Sequence, residues 1–189
     1  MKVITAPNDY SAYVEGGLSV FLAGGISGCP DWQAEYAKYV QHLCRSMSIP
    51  NLILLNPRRP DFDTSDPNAS RAQIEWEFRH LALADAISFW FPKETLCPIT
   101  LYELGKWTMY HRKPIFIGVH PEYKRREDVD IQTGLERPEV EIVYDLADLT
   151  LKVCKFAVQR RESDKMHQSI AKVLKRVDEK KACRRPLKP

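Results

Sequence analysis

Long apolar runs are missing from this chain: no stretch approaches the ~18 residues that a membrane-spanning helix requires. The opening residues, Met1 to Tyr10, also lack the continuous apolar centre of a secretory leader. A soluble, cytoplasmic protein is the expectation. Paired cysteines are missing too. Cys29, Cys44, Cys97, Cys154 and Cys183 are odd in number and scattered, with no Cys-x-x-Cys and no histidine at ligand spacing, so neither a disulfide framework nor a metal site is expected. Neither Gly-x-Gly-x-x-Gly nor Gly-Lys-Ser/Thr occurs, which removes the dinucleotide fingerprint and the Walker loop. Strong charge of one sign is absent from the body. The net +3 owes five cations to residues 180–189, which hold no acid, leaving the remainder at −2. Nucleic-acid polymers are therefore not expected partners of the body, and the basic tail reads as a solvated end.

What is present is an ordinary globular composition, 44% hydrophobic and 28% charged over 189 residues, enough for one domain with a real core. Apolar runs at 18–23, 52–55, 86–91 and 114–119 read as buried strands, with 140–144 as a fifth. Between them lie helical periodicities. Trp32, Tyr36, Val40, Leu43 and Met47 follow Asp31 as an N-cap; Ile74, Phe78 and Leu81 form a second stripe; Leu101, Leu104 and Thr108 form a third. Leu146, Leu149, Val153 and Phe156 suggest a further helix, and Ile170, Val173, Leu174 and Val177 another after a charged break at 160–165. Residues 61–70, rich in Asp, Pro, Asn, Ser and Thr, read as a long loop, a candidate lid.

Strands alternating with helices require parallel pairing through right-handed crossovers. The expected fold is α/β: a doubly wound, flavodoxin-like parallel sheet of about five strands, order 2-1-3-4-5, with an added C-terminal helical segment. Residues 1–150 make the α/β domain, 151–178 the helical extension and 179–189 the basic tail. In that order the crevice at the carboxyl ends of strands one and three is where a ligand binds. It would bring the turn Gly24, Gly25, Ile26, Ser27 against the segment from Pro92 to Glu103.

Three carboxylates surround the third strand: Glu77 before it, Asp85 at its start and Glu103 after it. Displacement at an anomeric carbon uses one carboxylate to attack and a second acid to manage the leaving group's proton, and neighbouring acids push their pKa values apart. Glu103, near the start of a helix that points its free N–H groups into the crevice, is expected to be ionised and nucleophilic. Asn56, Glu94 and Thr100 sit on crevice-side loops as candidate substrate contacts.

The blocks Phe21-Leu22-Ala23-Gly24-Gly25-Ile26, Ile74-Glu75-Trp76-Glu77 eight residues before Ala84-Asp85, and Tyr102-Glu103-Leu104-Gly105 resemble the nucleoside 2-deoxyribosyltransferase superfamily, including its deoxynucleotide N-glycosidases. The resemblance spans roughly residues 18–145. It implies that Glu103 attacks C1′ and releases the base from a glycosyl-enzyme intermediate, that Glu77 contacts the base or assists its departure, and that Gly24 to Ser27 lie against the sugar. It also implies no metal, no dissociable cofactor, a small nucleoside or nucleotide as partner, no membrane, and a homo-oligomer, with 123–135 a candidate contact. Phe21 stands where the family often has tyrosine, and Ser27 where its nucleotide hydrolases have arginine. Two other readings stand beside this one: hydrolysis of another N-ribosyl compound such as a dinucleotide, and a non-catalytic nucleotide sensor.

Overall fold

A computed structural model describes residues 1–10, 17–60, 62 and 66–183. Five parallel strands form one sheet in the order β1-β3-β2-β4-β5: β1 Lys2–Thr5, β2 Leu18–Gly24, β3 Leu52–Asn56, β4 Ala86–Phe91 and β5 Ile115–Val119. Among the described residues five helices connect and cover them: α1 Trp32–Ser46, α2 Pro67–Leu83, α3 Pro98–Thr108, α4 Arg126–Glu136 and α5 Leu146–Cys183. The doubly wound fold is the expected one. Its central run β3-β2-β4-β5 is the order 2-1-3-4 of the sequence reading. Residues 140–144 continue that order only through a single bridge, Gly118 to Val143, and the fifth strand comes instead from β1 at the opposite edge.

The strands are apolar on both sides because each side is covered, as parallel sheets require. Along β4, Ile87, Phe89 and Phe91 enter a core with Trp76, Leu81, Leu104 and Trp107 from α2 and α3. The alternating Ala86 and Trp90 enter a second core with Tyr36 and Val40 of α1 and Leu149 and Val153 of α5. Each fully buried side chain of this kind contributes roughly 1.5–3 kcal/mol.

Asp31 caps α1 as expected, its Oδ1 accepting from Ala34 N–H at 3.0 Å. On α2 only Leu81 of the expected stripe is buried. Ile74 and Phe78 are each 63% exposed, while Trp76, His80 and Leu81 face inward. The charged stretch 160–165 does not interrupt α5, which continues as one helix to Cys183; Ile170, Val173 and Leu174 are exposed rather than packed on the core. Four residues of the ten-residue candidate lid, 61 and 63–65, lie outside the described residues, and Asp66 opens α2 by accepting from Asn68 N–H at 2.8 Å. In the basic tail, residues 184–189 also lie outside them.

Candidate active site

The sheet order places its switch point between β2 and β4, whose chains leave in opposite directions from paired ends, Gly24 beside Trp90. The crevice that results is the ligand position of open α/β sheets. Here it holds a cleft of about 290 Å³, lined among others by Phe21, Gly24, Gly25, Ile26, Ser27, Glu77, Thr100 and Glu103. That volume is at the low end for small-molecule sites.

The two sides of the cleft are close because of glycine. A Cβ on Gly24 would sit 2.5 Å from the Trp90 carbonyl oxygen, and one on Gly25 would meet Thr95, Pro92 and Cys97 at 2.8–3.0 Å. Cys97 has φ 47°, a left-handed conformation that costs a non-glycine residue strain. The turn there starts α3 at Pro98, and Tyr123 Oη holds it by donating to Leu96 O at 2.8 Å. Opposite, Arg58 braces the glycine loop. Its guanidinium donates to Gln33 Oε1 at 2.8 Å and Pro30 O at 2.9 Å, and pairs with Asp31 at 3.4 Å.

Seven of the ten expected site residues share the cleft: Glu103, Glu77, Gly24, Gly25, Ile26, Ser27 and Thr100. Three do not. Asp85 lies at the amino end of β4, at the far edge of the sheet, where it accepts from Ser19 N–H at 2.8 Å and Ser19 Oγ–H at 2.7 Å and so ties two strand starts together. Asn56 accepts from Arg58 N–H at 3.0 Å and lines a separate hollow with Thr5 and Asp31. Glu94 faces another hollow with Trp32, Trp90 and His120. The pattern reading overlooked Gln73, whose Nε2 donates to Glu77 Oε1 at 2.8 Å. Its signal was its place one helical turn before Glu77.

Glu103 differs from expectation in charge. Burial first, and the negative charge of Glu77 second, push its carboxyl up to about 8, with Lys106 opposing. The helix terminus does not prevent this, because Glu103 is the sixth residue of α3 and the terminal field fades within the first turn. Burial also raises Glu77, and the Gln73 hydrogen bond opposes that rise. Two half-buried carboxyl groups therefore share the cleft, and the charge of one opposes ionisation of the other.

Fold and cleft together define a doubly wound α/β protein with a carboxyl pair facing a glycine turn at the sheet's switch point. The chain belongs to the nucleoside 2-deoxyribosyltransferase-like family, whose model matches residues 17–123, more than half of its length. Membership brings glycosyl transfer of the nucleoside deoxyribosyltransferase kind and a small nucleoside-type ligand as its class of activity. No curated protein matches the chain. No helix among the described residues is long and apolar enough to cross a membrane.

Proposed function

We propose that the protein cleaves or exchanges the N-glycosidic bond of a deoxynucleoside through a covalent glycosyl-Glu103 intermediate. The observation that carries this reading is the pairing of Glu103 with Glu77 in one cleft against Gly24 to Ser27. In the first half-reaction a Glu103 oxygen bonds to C1′ as the C1′–N bond breaks and its electrons pass to the base. The proton resting on Glu103 goes to the departing base nitrogen by way of Glu77. Charge balances: one carboxylate remains, and the base leaves neutral. In the second half-reaction water or a second base takes the sugar, and each displacement passes an oxocarbenium-like state. The step requires one proton on the pair. Below the range where Glu77 ionises no carboxylate is available, and above about 8 no proton is left for the base.

A cleft of this size suits a nucleoside better than a dinucleotide. Ile99 and Tyr102, 64% and 75% exposed on α3 beside the cleft, support a homo-oligomer in which a second copy covers this edge. The reading assigns the protein to nucleoside metabolism in the cytoplasm.

Incubation with each deoxynucleoside and deoxynucleotide, with and without an acceptor base, tests the proposal. Base released in water identifies a hydrolase, and release only with acceptor a transferase. Quenched protein should gain the mass of the sugar, and Glu103→Gln should not. Binding without release from any substrate would replace the enzyme reading with the sensor.

A further inference from the structure

The Gln73 carboxamide touches one member of the carboxyl pair and a backbone carbonyl at the same time. Its Nε2 donates to Glu77 Oε1 and to Pro57 O, each at 2.8 Å, while its Oε1 is buried without a partner. A carboxamide can present either end to a neighbour. The Pro57 carbonyl only accepts. It therefore demands the NH2 group, and turning the amide over would set two oxygens against each other. Gln73 is fixed as a donor toward Glu77, and a donor stabilises a carboxylate over its protonated form.

We propose that Gln73, oriented by the Pro57 carbonyl, is a positioning residue that makes Glu77 the ionised member of the pair and leaves the pair's one proton on Glu103. The inference rests on the glycosyl-transfer reading for its place in the reaction, and on geometry alone for the proton's location. Among the described residues no hydrogen bond reaches the Glu103 carboxyl, so nothing comparable holds its charged form. The other groups around the pair do not reverse the order. Lys106 of α3 favours an ionised Glu103 and is outweighed by burial and by Glu77. Arg58, from the segment after β3, is bound to Gln33, Pro30 and Asp31. Cys97, between β4 and α3, is a thiol that burial pushes up to about 12, and burial raises Cys29 of the glycine loop as well. The consequence for the chemistry is that the proton needed by the departing base starts on the oxygen that must give it up to form C1′–O. Ionised Glu77 is the acceptor that would relay it.

The test uses the full chain with glutamate carboxyls carbon-13 labelled and followed by NMR. In Glu103→Gln only Glu77 titrates in the cleft, and adding Gln73→Met should raise its midpoint by about one pH unit, the scale of a hydrogen bond lost from a charged group. Gln73→Glu, with the same shape, should move it in the same direction; thermal melting establishes which variants fold. In turnover, Gln73→Met alone should move the acidic limb of kcat/KM upward and leave the alkaline limb near 8. A Glu77 midpoint that stays put in either folded variant overturns the proposal. A shifted midpoint in a protein that releases no base upholds it and removes the transfer reading instead.

Discussion

Glu103 exerts its largest effect on stability in a direction opposite to most acids. Its folded pKa, about 8, lies above the ordinary carboxylate value of 4.5. The folded state therefore binds the proton more tightly, so stability is fully present below about 4.5 and falls as pH rises toward 8. Glu103→Gln should melt higher than the parent at pH 8 and lose most of that advantage at pH 5, while activity drops roughly 10³-fold or more. A variant no more stable at pH 8 would mean that the side chain is well solvated. His80 works at a different pH with the other sign. It is fully buried, stacks on Trp76 at 3.9 Å, and accepts from Tyr10 N–H through Nε2 at 3.1 Å, which leaves Nδ1–H to donate to Trp76 O at 2.7 Å. Burial holds its pKa below 6.5. Below 6.5 the unfolded chain takes up a proton that the folded chain resists, so stability falls with falling pH. Urea midpoints at pH 7.5 and 5 should separate more for the parent than for His80→Gln; equal separations would show a histidine that protonates freely in place. The place of Glu103 in the cleft was legible from a short motif. Its charge was not, because burial and the distance to Glu77 arise only when α2 and α3 pack together.

Elements that are buried on both faces were plain in the sequence, and elements at edges were not. The runs forming β2, β3, β4 and β5 are apolar throughout. β1 is four residues, Lys2 and Val3 among its exposed positions, and carries no such signal. On α2 hydrophobicity picked out Leu81 but misplaced Ile74 and Phe78: Phe78 stays outside with the Lys106 ammonium 4.4 Å from its ring centre, while the buried face includes the polar His80. In sequence the glycine turn stands out by its place on the crevice, against the sugar that the resemblance implies. In the fold its first glycine is equally a packing requirement between strands, since a side chain at Gly24 would run into the Trp90 carbonyl of β4, a backbone atom that cannot step aside. Gly24→Ala should therefore destabilise the protein by about 1–3 kcal/mol, as overpacking does. For Gly25→Ala the three nearest atoms belong to side chains, those of Thr95, Pro92 and Cys97. It should melt close to the parent and instead raise KM by shifting the loop that starts α3. Equal melting losses in the two variants would contradict this division.

Across the whole molecule, charge is arranged so that the cleft faces substrate without a cation. Its lining contains two carboxyl groups and no lysine or arginine. Of the cations near it, Arg58 is committed to Gln33, Pro30 and Asp31, and Lys106, whose charge acts on Glu103, sits over the rings of Phe78 and Trp107. Of the residues outside the described set, 11–16, 61 and 63–65 include no basic residue, and Arg184, Arg185 and Lys188 come after the last residue of α5 in the chain. A 5′-phosphate brought to this cleft would lose hydration next to at least one carboxylate and gain no counter-charge, and repulsion within a partly buried site is screened only weakly by salt. An uncharged 5′-hydroxyl has no such penalty and can use the backbone of Gly24 to Ser27. Under the proposed reaction, kcat/KM for a deoxynucleoside should exceed that for its 5′-monophosphate by about tenfold or more. Ser27→Arg, which puts a cation on the cleft wall, should narrow that gap by raising monophosphate turnover. Equal turnover of the two substrates by the parent protein would require a phosphate-binding cation that the fold does not bring to the cleft, and would defeat the electrostatic account of its specificity.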